Sequence, residues 1–168
     1  MLLAAHSVLL VVVLGAWVVE AFPGGAPIEA CILENPNRPN HPGTSPQPPS
    51  TLKHIFTASD AYYSPGSTIQ VYIEGPPFKG FFIQGRDAHT NEWIGEFDKS
   101  DDTESHPECS AVTHGNPRPK SRVILTWRAP LDRSGTVTFT GTILNSYSVY
   151  WSDLIANVVP RSTVPRLG

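Results

Sequence analysis

The sequence predicts an all-β fold, an Ig-like antiparallel β-sandwich, on three observations. Alternating apolar and polar residues recur in about seven or eight short segments at sandwich-like intervals. Seventeen prolines and thirteen glycines among 168 residues punctuate those segments, a usage that suits a loop-rich β protein. No stretch of useful length carries helical periodicity.

Residues 1–21 read as a leader outside the fold. Leu2 to Val19 is apolar apart from His6 and Ser7, and Val19-Glu20-Ala21 places Val and Ala at the −3 and −1 positions of a cleavage site. Cleavage after Ala21 makes Phe22 the first mature residue. A basic n-region is missing, so the competing reading is an N-terminal membrane anchor; the short apolar run and the cleavage site favour a signal peptide. No second apolar run approaches membrane length, so the expectation is a secreted, extracellular protein with no transmembrane segment. What remains is roughly 150 residues, one domain's worth. Removing Glu20 with the leader moves the formal net charge from −3 to −2. Such a balance gives no global reason to bind nucleic acid, an anionic membrane or a polyanion, and any such contact needs a local patch.

From Phe22 to Ser50 the chain is rich in proline, and Pro36, Pro39, Pro42, Pro46, Pro48 and Pro49 exclude a long helix. The only two cysteines, Cys31 and Cys109, are an even count in a chain read as secreted, which argues for one disulfide fastening this segment to the sandwich. A zinc site is disfavoured because neither cysteine has a second ligand at finger-like spacing.

The strands follow in order. Ile69, Val71 and Ile73 alternate with Gln70, Tyr72 and Glu74, a half-buried strand entered by the turn Ser64 to Ser67. The chain is organised around Pro76 to Ala88, P-P-F-K-G-F-F-I-Q-G-R-D-A. Its centre, Phe81 to Arg86, is a core strand bounded by the two prolines and by a charged segment. Alternation places Phe81, Ile83 and Gly85 on one face and Phe82, Gln84 and Arg86 on the other, with one face in the core. Gly85 marks a bulge or the close approach of a neighbouring backbone. Phe78-Lys79-Gly80 reads as a bend whose glycine permits positive φ. Trp93 to Phe97 is a further strand. The acidic run Asp98 to Glu108 reads as a solvated loop, its spacing unlike a calcium-binding EF-hand. Cys109 to His114 is a short strand. Arg122 to Trp127 follows, with Val123, Leu125 and Trp127 on one face. Beyond the Ala129 to Gly135 turn, Val137, Phe139, Gly141 and Ile143 point inward and Thr136, Thr138, Thr140 and Thr142 outward. Leu144 to Trp151 closes the fold, leaving residues 22–160 as the domain and 161–168 as a tail.

Several motifs occur together in order: F-P-x-G-A-P before Cys31, Y-x-P-G at Tyr63 to Gly66, F-K-G-F-F-I-Q-G-R at Phe78 to Arg86, A-V-T-H at Ala111 to His114, W-R-A-P at Trp127 to Pro130, G-T-V-x-F at Gly135 to Phe139 and Y-W at Tyr150 to Trp151. The chain thereby resembles a reeler domain from about Phe22 to Val158. A signal peptide followed by one such domain resembles the small secreted insect defence proteins, including the nodulation-promoting type. The resemblance implies an Ig-like sandwich with Cys31 paired to Cys109, secreted into haemolymph and acting in innate immunity against bacteria. It also implies partners: bacterial envelope polymers such as lipopolysaccharide or lipoteichoic acid, and the haemocyte surface. Two departures stand out. Gln84-Gly85-Arg86 replaces the usual Q-A-R, and Pro46, Pro48 and Pro49 interrupt a stretch that is more regular in the family.

The residues carry little sign of catalysis. There is no G-x-S-x-G elbow, H-E-x-x-H or phosphate loop. His89, His106 and His114 read as separate surface histidines, and a copper monooxygenase would need histidine where Phe22 stands. The expectation is a protein that is not an enzyme, with no cofactor. Arg118, Lys120, Arg122 and Arg128 lie close in sequence without an intervening acid and form the candidate polyanion-binding patch, suited to phosphates and sulfates. Lys79 and Arg86 are a second candidate, with Arg86 read as a sheet-edge or ion-pair residue. Tyr147, Tyr150 and Trp151 are a candidate aromatic platform, with Tyr147 and Trp151 on one face of a strand and Tyr150 on the other, and a buried core role for at least one face is the favoured reading. The alternative to a defence role is a matrix or adhesion module that binds glycosaminoglycan.

Overall fold

Alternation becomes sheet wherever one face is buried. The computed structural model describes residues 24–32 and 38–159, so the leader, Phe22 and the tail lie outside the described residues. Eleven strands form among those residues: β1 (Ile55–Ala58), β2 (Tyr62–Tyr63), β3 (Thr68–Phe78), β4 (Gly80–Asp87), β5 (Glu96–Phe97), β6 (Thr103–His106), β7 (Ala111–His114), β8 (Lys120–Arg128), β9 (Gly135–Leu144), β10 (Tyr150–Ile155) and β11 (Asn157–Val158). One sheet has the order β11-β1-β3-β8-β5 and the other β10-β9-β4-β7-β6, with β2 paired to β9. All pairs are antiparallel except β1 with β11. The predicted all-β sandwich is therefore present, with one short parallel pairing at an edge.

Register explains the core. Ile69, Val71 and Ile73 of β3 stand opposite Trp127, Leu125 and Val123 of β8, and Phe81 and Ile83 of β4 opposite Ile143 and Gly141 of β9. The inner faces of both sheets enclose one apolar cluster. At its centre Trp127 is fully buried, donates Nε1–H to the Ile94 carbonyl at 3.0 Å and meets Tyr63 and Phe139 edge to face. The Ser64–Ser67 turn closes as expected, with Gly66 at positive φ and Ser67 N–H donating to Ser64 O.

The structure corrects several expectations. Pro76 and Pro77 come before β4 but are not its boundary; they lie within β3, at an irregularity between Glu74 and Phe78 where the ladder is interrupted. Gly80 has no positive φ. Its role is close approach, since a Cβ there would stand 2.8 Å from the His114 ring. Gly85 is also a close approach, by the side chain of Trp127, whose Nε1 would lie 2.7 Å from an added Cβ. Part of the supposed acidic loop is strand β6, paired to β7. Thr142, expected outside, is buried and donates to Ser152 Oγ at 3.0 Å. Between β9 and β10 the chain turns, so Tyr147 is in a loop rather than in a strand with Trp151.

β4 is buried on both faces, not one. Phe82 faces away from the main core and packs with Cys31, Cys109 and Ala111 in a second cluster. The Cys31–Cys109 disulfide is formed, and it holds the N-terminal segment over this outer face. Ala26 N–H donates to Thr113 Oγ1 at 3.1 Å and His106 Nε2–H to Ala26 O at 2.9 Å. Further along, Gln47 N–H donates to Tyr150 O and Trp151 Nε1–H to Thr51 Oγ1. The proline-rich stretch thus shields the edge of β10, which an open strand would expose to pairing.

Two histidines are built into this packing. His114 Nδ1 accepts from Phe81 N–H at 3.3 Å, and His54 Nε2–H donates to Pro76 O at 2.9 Å. Burial holds both imidazoles below their ordinary value of 6.5. Their folded pKa values lie below the unfolded one, so the unfolded chain takes up protons first as pH falls. Stability from these groups is complete above 6.5 and declines as pH drops beneath it. The melting temperature is therefore expected to fall between about pH 7.5 and 5.5, and His114→Gln to reduce that fall. An unchanged pH profile in the variant, measured by thermal melts, would assign the effect elsewhere.

Candidate functional site

Alternation along β8 places Lys120, Arg122, Ile124, Thr126 and Arg128 on the outer face of their sheet. Extended backbone rises about 3.3 Å per residue, so Lys120 and Arg128 stand about 26 Å apart at opposite ends of the strand. The four basic residues are not one patch. Arg118, Lys120 and Arg122 gather at one end, with the β3–β4 turn and its exposed Lys79 beside them, while Arg128 belongs to the other end.

The acidic run supplies partners for two of them. Arg118 pairs with Asp102 at 2.7 Å and Arg128 with Asp98 at 3.0 Å, while Arg122 pairs across the sheet with Glu74 at 2.7 Å. All three pairs are solvent-exposed, where ion pairing is weak and readily exchanged. Lys120 is different: its Nζ donates to the carbonyls of Lys79, Asn116 and Arg118 at 3.0, 3.1 and 2.8 Å. Burial lowers its pKa, and the three bonds tie the loop before β8 to the β3–β4 turn. Lys120 therefore acts as a clamp that sets the position of Arg118, whose guanidinium also meets Asn116.

The other sequence candidates are dispersed. Arg86 is not at a sheet edge and has no ion pair among the described residues: β4 lies between β9 and β7, and its guanidinium donates to Gln84 and to the Asn91 carbonyl. Tyr150 and Trp151 are buried, leaving only Tyr147 partly exposed, stacked on His41 at 4.1 Å. His89 meets Thr136, His106 meets Ala26, and His114 is packed against Phe81, so the three histidines do not converge and His114 is half-buried rather than exposed. Among the described residues no three His, Cys, Asp or Glu side chains are grouped to hold a metal. A recess of about 600 Å³ beside Tyr62, Ser64, Ser67 and Ser134 is open to solvent. Its Asp60 accepts from the Ala61 and Tyr62 N–H groups.

The family model described as Reeler domain matches residues 30–166. The chain belongs to the Reeler domain family. Its similarity to the human F-spondin reeler domain, at TM-score 0.56 and 19% identity over 71% of this chain and 96% of that one, shows the shared fold. Among curated relatives it is 30% identical over 140 residues to "Putative defense protein 3" of Antheraea mylitta, covering 79% of this chain and 82% of the relative. "Putative defense protein Hdd11-like" of Samia ricini is 32% identical over 145 residues, covering 79% and 83%. Ferric-chelate reductase 1 of Bos taurus is 29% identical over 155 residues, and there the match covers 88% of this chain but only 25% of the reductase. The reeler disulfide and fold fit an extracellular protein, and no helix among the described residues is long and apolar enough to cross a membrane.

Proposed function

We propose that this reeler protein is a secreted, non-enzymatic defence protein that binds bacterial envelope polymers and promotes their capture by haemocytes. The observation that carries the reading is the similarity to insect defence proteins over four-fifths of their length, against a quarter of the ferric-chelate reductases. It supports a defence-related role. The basic end of β8 supplies one means: lipid A or teichoic phosphates exchange with Asp102 and Glu74 for Arg118 and Arg122, whose exposed pairs open at little cost. Acting through surface contacts, the protein needs neither cofactor nor metal, and no strongly cationic amphipathic segment equips it to lyse membranes.

The test is a pull-down of the purified secreted protein on whole Gram-negative and Gram-positive bacteria, competed separately with lipopolysaccharide, lipoteichoic acid and heparin near physiological salt. Displacement by a bacterial polymer but not by heparin is the expected result. Retention on heparin without bacterial binding would replace this reading with a glycosaminoglycan-binding adhesion module. Losing a charge-assisted hydrogen bond weakens binding by about tenfold or more, so Arg118→Ala with Arg122→Ala should lower polyanion affinity at least that much and flatten its salt dependence. Arg128→Ala, about 26 Å from Lys120 by strand rise, should change it little. Equal effects from both variants would dissolve the division of the patch.

A further inference from the structure

Arg38, Arg118, Arg122 and Arg128 each meet a carboxylate. Arg86 meets none among the described residues, although it is the arginine most firmly built into a sheet. Its backbone pairs with Thr138 on one side and with Trp93, through an isolated bridge, on the other. Nη2 donates to Gln84 Oε1 at 2.9 Å and Nη1 to Asn91 O at 3.0 Å. Gln84 is fully buried and anchored in turn by donating Nε2–H to Cys109 O at 3.3 Å, and Asn91 presents its carbonyl from a left-handed conformation with φ of 61°. The guanidinium lies 6.0 Å from the centroid of the Trp93 ring, which is 41% exposed.

Two carboxylates lie in the adjoining turn, and neither pairs with this cation. Asp87 Oδ1 accepts from His89 N–H at 2.8 Å and Thr90 N–H at 3.0 Å, and Glu92 Oε2 accepts from Thr90 Oγ1–H at 3.2 Å. A guanidinium has five N–H donors. Three of those on Arg86 have no acceptor among the described residues. A partly buried positive charge, fixed in place and lacking a counter-ion, is suited to receive an anion bidentately, and an exposed indole beside it offers a flat apolar face.

We propose that Arg86 and Trp93 form a binding site for an acidic sugar, its carboxylate or phosphate on the free guanidinium N–H groups and its C–H face on the indole. Thr138, the register partner of Arg86 on the neighbouring strand, shares its face of the sheet. The ligand chemistry is shared by bacterial core oligosaccharides and glycosaminoglycans. The inference deepens the envelope-binding reading above and takes its bacterial source from it.

Trp127 and Trp151 are buried, so ligand-induced changes in tryptophan emission report on Trp93. The full secreted protein is titrated with lipopolysaccharide core oligosaccharide, a hyaluronan tetrasaccharide and neutral maltotetraose. Saturable changes with one or both acidic sugars and not with maltotetraose are expected, and the response identifies the source. Arg86→Met keeps the stem and should weaken acidic-sugar binding about tenfold or more. Trp93→Ala, followed by calorimetry, should do the same, with wild-type melting curves confirming the fold. No saturable response in the wild type, or wild-type affinity in both variants, overturns the site. Wild-type acidic-sugar affinity in both variants together with bacterial capture by the wild type removes the site while leaving the envelope reading intact. Acidic-sugar binding without bacterial capture keeps the site and removes that reading.

Discussion

Replacing Cys31 and Cys109 together with serine is expected to lower stability by about 4.5 kcal/mol, the chain-entropy value for a bridge of this loop length. The two cysteines are 78 residues apart in sequence, and the bridge is the covalent tie between the N-terminal segment and the sandwich. For a domain of this size the loss corresponds to a fall of about 15 °C in melting temperature. Local consequences should precede global ones. Without the bridge, the segment retains the Ala26–Thr113 and His106–Ala26 hydrogen bonds but no longer closes over Phe82 and Ala111. Limited proteolysis should then cut between residues 24 and 51, and an apolar dye should bind the uncovered face. A melting temperature within about 3 °C of wild type would show that hydrogen bonds and packing hold the segment unaided.

Trp127→Ala should cost about 3–5 kcal/mol, the range for deleting a large buried aromatic side chain. The side chain is fully buried between the sheets, and its loss removes both edge-to-face ring contacts and the Nε1–H donor to Ile94 O. The Ile94 carbonyl keeps the Ser110 hydroxyl as a donor, so the larger part of the effect is the cavity. Trp127→Phe should be milder because it retains a ring. The same indole explains Gly85: an added Cβ would meet Nε1 at 2.7 Å and Ser110 Oγ at 2.9 Å. Gly85→Ala should therefore destabilise the wild type and do so less in the Trp127→Ala background. Denaturant unfolding of the four proteins measures that coupling. Additive effects would mean that Ser110 Oγ and the Ile94 carbonyl, rather than the indole, exclude a side chain at 85.

Much of the inner architecture was legible from alternation, because a strand with one buried face writes that face at every second residue. Ile69, Val71 and Ile73, and Val137, Phe139 and Ile143, are buried as their pattern requires. β4 was half legible. Its run of Phe81, Phe82 and Ile83 has no polar alternation because both faces are covered, the outer one by the disulfide-linked segment. A one-face rule cannot register that second cover, which arrives from more than fifty residues earlier in sequence. The acidic run concealed β6 for a related reason: an edge strand such as Thr103–His106 buries little, so its residues carry no apolar period.

The candidate site was less legible than the fold. Arg118, Lys120, Arg122 and Arg128 are neighbours along the chain, but a strand extends rather than gathers its residues, and the acids that pair with them come from another loop and another strand. Arg86 shows the converse. In sequence it sits between Gly85 and Asp87 and reads as a sheet-edge or ion-pair residue. Asp87 instead closes its own turn, and Trp93 is brought alongside by a bridge.

By itself the sequence determined the sandwich class, the inward sides of the long strands, the family and the single disulfide. These are properties of local pattern, of composition and of a cysteine count that allows one pairing. Tertiary structure alone decided which charges are spent on one another and which, like Arg86, meet no carboxylate among the described residues. Pairing energy depends on distances of a few ångströms between side chains, and only the register of β4, β8 and their neighbouring loops sets those distances.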